Sequence, residues 1–253
     1  MPMKNKSPYL KICIIAVSII AWVVLWWFAS SKSSLNYLFP TPVSTFKALG
    51  SLIITANFWK TVLNTIFRIL SGLLLGIVFG ILLALLSRLS EWIHSFISVG
   101  MTVIKSTPVA SIVMILWMII DDSLPVIIAL LMVMPIIWQN LIDGFNSVDG
   151  KLLQMARIFE FSRKKKIRYI WVPTLLNYLI PGIITSIGLA WKSGIAAEII
   201  GYTKNSIGKK IYLAKGYPKY EELMAWTFTV IALSLIFEYL AKYLLRRYKN
   251  ARG

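Results

Sequence analysis

The sequence has one cysteine, one histidine and 10 acidic residues among its 253 positions. A single cysteine, Cys13, excludes an internal disulfide framework and a cysteine-based metal cluster, and its apolar surroundings make it an inert thiol. A single histidine, His94, leaves no His-rich metal site and is expected at an interfacial helix end. Charged residues are 15 % of the chain, whereas a soluble domain carries about 25 %. That shortfall excludes an ordinary soluble enzyme, a disordered tail and a coiled coil.

Groupings that would carry chemistry are also missing. Paired aspartates, a Ser–His pair and His-Glu-x-x-His do not occur in the apolar segments, so an intramembrane enzyme is excluded. No Gly-rich loop is followed by Lys and Ser/Thr, so this chain holds no nucleotide-hydrolysing domain. Any energy-driven work would need a separate engine. The 27 Lys+Arg give a net charge of +17, but they sit in short runs between apolar segments and form no RNA- or DNA-binding motif. Anionic lipid headgroups and membrane topology account for them, and no nucleic-acid partner is expected.

What the chain does have is apolar length. Hydrophobic residues make up 58 %, in runs that meet the roughly 20 residues needed to cross a bilayer. The runs predict an all-α, six-span membrane protein forming one transmembrane domain over 1–253. The spans fall at 9–29, 61–86, 92–120, 124–142, 173–200 and 222–245, the third broken by Pro108. The first has a basic start but no small-residue cleavage site, so it is expected to be retained rather than removed as a signal peptide. An even count puts both termini on one side. Sixteen basic residues belong to that side, from Lys4, Arg88, the 143–172 loop and the C-terminal run, against eight on the other. The richer side is expected to be cytoplasmic. Five lysines between Lys204 and Lys219 weaken the bias without reversing it.

Two spans carry small residues at a spacing of four: Gly72, Gly76, Gly80 and Ala84 in the second, and Gly182, Ser186, Ala190 and Gly194, ending in Glu198, in the fifth. Such stripes let helix backbones approach closely. The fifth-span stripe ends in a carboxylate, so it either packs or faces a path. Charges inside spans are costly and usually functional. Arg68 is expected to snorkel to the outer end. Lys105, just before Thr107-Pro108, marks a candidate path wall with Pro108 as its kink. Lys192, its neighbour Ser193, and Glu198 are further path candidates. Lys192 and Glu198 are six residues apart and on different helix faces, so they cannot pair with each other. Each either lines a path or pairs with another helix. Trp26 and Trp27 read as interfacial-belt residues, and Trp117, Trp138 and Trp191 as packing residues.

The 143–172 loop holds a short helix. Asp149 is a good N-cap, and Leu152, Met155, Ala156 and Phe159 fall on one apolar face. Outside the membrane, that face either lies back on its own bundle or meets a protein partner. A basic run, Arg163 to Lys166, and Ile170-Trp171-Val172-Pro173 follow.

This stretch resembles the signature loop of binding-protein-dependent ABC importer permeases, Glu-Ala-Ala-x3-Gly-x9-Ile-x-Leu-Pro. Gln154-Met155-Ala156 stands at Glu-Ala-Ala, Glu160 at the Gly, and Ile170-x-Val172-Pro173 at the last motif. Phe39-Pro40-Thr41-Pro42, Ser147-Val148-Asp149 and Ala196-Ala197-Glu198 extend the likeness, which covers about residues 35 to 245. The resemblance implies the MetI-like permease fold and a subgroup serving nitrate, alkanesulfonate, taurine or pyrimidine thiamine precursors. It also implies a homodimer, two cytosolic ABC ATPase subunits that bind ATP and Mg, and an extracytoplasmic substrate-binding protein. This chain would need no cofactor and catalyse no reaction. It would be a multi-pass protein of a bacterial cell membrane. Leu152, Gln154, Met155, Ala156, Arg157, Phe159 and Glu160 would form the coupling helix docked in the ATPase. The alternative is a membrane scaffold or energy-coupling subunit that docks an ATPase but takes specificity from another membrane protein. Two departures stand out. Gln154 removes a charge from the docking helix. A left-handed turn suits Gly better than Glu160, so the loop is expected to run on as helix or to turn by other means.

Overall fold

The computed structural model describes residues 8–32 and 39–250, and the regular elements among them are helices. In chain order they are α1 (Pro8–Lys32), α2 (Pro42–Ile53), α3 (Ala56–Leu86), α4 (Glu91–Ser106), α5 (Val109–Trp117), α6 (Leu124–Asn146), α7 (Gly150–Ile158), α8 (Arg163–Lys166), α9 (Val172–Ile200), α10 (Ile207–Gly216) and α11 (Tyr220–Asn250). Five helical stretches are long and apolar enough to cross a membrane, and α4 with α5 makes a sixth if that bent pair is one span.

The third span departs most from expectation. Helices α4 and α5 meet at 97°, a break rather than a kink. Thr107 is extended at φ −78°, ψ 129°, as expected of a residue that Pro δ-carbon crowding drives out of the helical region. Pro108 is extended as well, at φ −58°, ψ 131°, and has no N–H to continue the ladder. Helix α3 also starts earlier than the apolar run suggests, at Ala56.

The chain divides into two compact units, Met1–Trp59 with Lys210–Thr229, and Lys60–Lys209 with Val230–Gly253. In the first, Thr41 caps α2 by accepting from the Ser44 N–H, and Pro42 occupies the first turn, where its missing donor costs nothing. The Phe-Pro-Thr-Pro sequence is therefore a helix start. Trp26 is a packing residue rather than a belt residue. Its ring stacks on Phe228 at 5.2 Å and its Nε1 donates to the Pro40 carbonyl. Trp27 is exposed, as are Val17, Ile20 and Trp22 around α1, the pattern of a helix whose solvent is lipid.

In the second unit α6 is the central helix, and the small-residue stripes explain how its neighbours reach it. A Cβ on Gly76 would sit 2.7 Å from Val133 Cβ, and one on Gly80 would sit 2.8 Å from Ile137 Cβ. Neither fits, so only glycine lets α3 come this close to α6. On α9, a Cβ at Gly194 would meet Ile69 of α3 at 2.8 Å, and Ser186 and Ala190 are fully buried. The fifth-span stripe therefore packs. Leu124, Ile128 and Met132 of α6 form a core with Val113 of α5 and Ala197 of α9. Trp138 Nε1 donates to Ser87 Oγ at 2.9 Å, and His94 stacks on the Trp138 ring. Trp191 donates to the Val230 carbonyl. Trp117 is about half exposed, at 48 %.

Candidate functional site

The loop between α6 and α9 is built as a capped, terminated helix with an apolar outer surface. Asp149 Oδ1 accepts from the Lys151 N–H at 2.8 Å and fixes the start of α7. The end is set by Glu160, which adopts φ 48°. The Phe161 N–H donates to the Ala156 carbonyl at 2.9 Å, and the Glu160 N–H to the Arg157 carbonyl at 3.1 Å. These paired bonds are a Schellman stop. Glu160 takes the left-handed conformation that its side chain disfavours, which corrects the expectation of a continued helix or a different turn. The two bonds satisfy carbonyls that the helix end would otherwise leave open.

The apolar face of α7 also differs from its reading on a helical wheel. Ala156 is fully buried, so it is not part of the exposed surface. The exposed apolar side chains are Leu152, Met155 and Phe159 together with Ile158, which is 78 % exposed. Gln154, Arg157 and Glu160 are exposed beside them. Beyond the stop, Ser162 Oγ accepts from the Lys165 N–H to start α8, and a π-helical turn over Ile167–Trp171 joins α8 to α9. The wider turn makes room for Pro173, whose ring would crowd the carbonyl four residues earlier in an α-helix. Ile170 is buried and Trp171 packs against Phe145. The Ile-x-Val-Pro sequence thus anchors the loop to the span that follows.

The charged candidates inside the spans separate into two groups. Glu198 is fully buried. Its Oε2 accepts from Thr65 Oγ1 at 3.0 Å and from the Gly208 N–H at 3.1 Å, and Thr65 Oγ1 in turn accepts from the Ile207 N–H at 3.0 Å. Side chains of α3 and α9 thereby supply acceptors to the first free N–H groups of α10. Ser193 is buried too, its Oγ donating to the Ala190 carbonyl. Of its two alternatives Glu198 takes the pairing with another helix, and Ser193 faces the packed interior. Arg68 is half-buried. It lies about three turns into α3, and its Nη1 is buried without a hydrogen-bond partner. Lys105, Pro108 and Lys192 are exposed, and among the path candidates these three keep an accessible side chain. The pattern of apolar spans and single charges could not show the Thr65–Ile207 link, because those residues are 142 positions apart.

Residues 76–250, which include α7, its stop and Glu198, match the family model described as the inner membrane component of binding-protein-dependent transport systems. The chain is a permease of that family. The permease is 23 % identical over 188 residues to SsuC of Bacillus subtilis (strain 168), named for the transport of aliphatic sulfonates, covering 74 % of this chain and 68 % of that one. It is 29 % identical over 181 residues to SsuC of Escherichia coli (strain K12), covering 70 % and 69 %. A 67-residue segment is 31 % identical to the nitrate import permease protein NrtB of Synechococcus elongatus, covering 25 % of this chain and 24 % of that one. Among solved structures, the fold resembles a bacterial ABC transporter for import of the acidic polysaccharide alginate, with a TM-score of 0.63 and 17 % identity over 94 % of this chain and 96 % of that one. An amino acid ABC transporter solved with histidines gives the same TM-score and identity over 76 % and 93 %. The permease therefore shares the all-helical fold of ABC importer membrane subunits, and its relatives are transport proteins rather than enzymes.

Proposed function

We propose that this permease forms the membrane path of an ATP-driven importer for a small anion and that α7 is the element through which a cytosolic ATPase drives it. The observation that carries the coupling role is the exposed surface of α7. A nine-residue helix with its C-cap residue, in a loop between two spans, exposes Leu152, Met155, Ile158 and Phe159. Lys151, Arg157, Arg163, Lys164 and Lys165 stand exposed around them. An apolar face in water needs a cover, and the basic rim selects one with an apolar groove edged by acidic groups. ATP and Mg belong to that partner, and this chain binds no cofactor. The assembly would contain two copies of the permease, two ATPase subunits and an extracytoplasmic substrate-binding protein. The termini and the α7 loop would lie in the cytoplasm. Within the membrane, Lys105, Pro108 and Lys192 line the path. Relatives named for sulfonate and nitrate and the exposed lysines in the spans support an anionic substrate.

Burying one Leu or Phe side chain contributes about 1.5–3 kcal/mol, and about 1.4 kcal/mol is a factor of ten in affinity. Phe159→Asp removes that contribution and places a carboxylate in the contact. It is expected to weaken ATPase co-purification by about tenfold or more while the permease stays inserted. Phe159→Leu should retain most of it. Full ATPase binding by both Phe159→Asp and Ile158→Asp would overturn the assignment of α7 as the docking element.

A further inference from the structure

Helix α9 has an exposed face made of Pro173, Asn177, Pro181, Thr185 and Lys192, and no large apolar side chain of this helix is exposed. These positions fall within an arc of roughly 120° on the helix and extend along about 28 Å of it, close to the roughly 30 Å thickness of a bilayer core. Helix α3 shows the opposite pattern, with Leu63, Phe67, Leu74, Val78, Phe79 and Leu82 exposed. The α3 face suits lipid. The α9 face does not, because an amide and an ammonium set in hydrocarbon would each lose their water without gaining partners. Lys192 lies 120° round the helix from Glu198, so the buried carboxylate does not face it.

We propose that this face of α9 lines a water-filled path, with Lys192 as its charge-selecting residue for a small anion and Asn177 and Thr185 as its polar wall. The inference rests on the import reading above and assigns the residues that choose the sign of the cargo. Asn177 offers amide donors to an oxyanion. Thr185 donates its hydroxyl to the Pro181 carbonyl at 3.1 Å, which keeps the hydroxyl oriented on this face. Lys192 supplies the single charge of the stripe, an ammonium point charge that attracts anions without demanding one geometry.

The test uses the assembled transporter in membrane vesicles, in a Cys13→Ser background, with Asn177→Cys or Thr185→Cys as the reporter. The probes are two methanethiosulfonate reagents, one carrying a sulfonate and one a quaternary ammonium. Each rate is normalised to the reagent's rate with a small free thiol. Both should modify Thr185→Cys, whereas Phe67→Cys on the lipid-like face of α3 should stay unmodified. The sulfonate reagent should be favoured by roughly tenfold, as expected for a charge-focused cleft. Lys192→Gln should abolish the preference and Lys192→Arg should keep it. If Thr185→Cys and Asn177→Cys are as unreactive as Phe67→Cys, the face is covered by lipid or by a second copy, and the proposal fails. It also fails if the preference survives Lys192→Gln. In either case, intact ATPase co-purification in the same variants leaves the import reading standing. Loss of co-purification in the Cys13→Ser parent, before any α9 change, would count against the import reading itself.

Discussion

A carboxylate inside an apolar helix must meet water or meet donors. Glu198 meets donors, taking the Thr65 hydroxyl and the Gly208 N–H on one oxygen. Thr65 has a double role, donating to Glu198 and accepting from the Ile207 N–H. Arg68 lies one turn along α3 from Thr65. Its Nη1 and Glu198 Oε1 are both buried without a hydrogen-bond partner. Removing one partner of a buried hydrogen bond costs about 1–3 kcal/mol, because the other is left unsatisfied. Thr65→Val strands the Ile207 N–H and leaves Glu198 Oε2 with the Gly208 N–H alone, so it should lower the melting temperature of the purified permease clearly more than Thr65→Ser. Thr65→Val and Glu198→Leu together should cost less than the sum of the two, with a coupling of about 0.5–3 kcal/mol. Strict additivity in thermal unfolding would mean that the two side chains do not act as a unit. The sequence showed that Glu198 had to be paired or wet. It could not show which, because the partner came from a distant threonine rather than from an oppositely charged residue.

At the scale of elements, the spans were legible because apolar length is a local property, and α7 was legible because Asp149 is a local cap. What escaped were features set by two elements meeting. The periodicity of α7 put Ala156 on the outer face, but the smallest residue of that face is buried. Pro108 announced a disturbance, but its 97° size required both Thr107 and Pro108 to be extended. At the end of α7 the Schellman bonds place Glu160 in the left-handed region. A non-glycine residue there costs about 1–2 kcal/mol, while glycine loses roughly 0.5–1 kcal/mol more backbone freedom on folding. The balance favours glycine slightly. Glu160→Gly should therefore slow amide exchange at Phe161 by about two- to fivefold, a change of about 0.5–1 kcal/mol. Glu160→Val, which is β-branched, should accelerate it. Faster exchange with glycine would show that contacts of the Glu160 side chain outweigh the backbone term.

For the whole molecule, the bent pair decides the topology. If α4 and α5 together cross the membrane, the chain crosses six times and both termini share a side with the α7 loop. If the pair dips in and returns, the chain crosses five times, and α7 and the C-terminus lie opposite the N-terminus. The basic residues discriminate between these. Six crossings gather Lys4, Lys6, Arg88, the α7–α8 run and Arg246 to Arg252 on one side. Five crossings divide them between the two sides and set the lysines from Lys204 to Lys219 beside the N-terminal group. Charge near span ends orients a membrane protein through its cytoplasmic excess of Lys and Arg, so six crossings are favoured. Reporter fusions at Lys164 and after Asn250 should both be active only with a cytoplasmic reporter, and a fusion at Tyr217 only with an extracytoplasmic one. A cytoplasmic N-terminus with an extracytoplasmic signal at Lys164 would identify α4–α5 as re-entrant. It would also place the apolar face of α7 on the wrong side of the membrane for a cytosolic engine, so the coupling role and the six-span topology stand or fall on the same measurement.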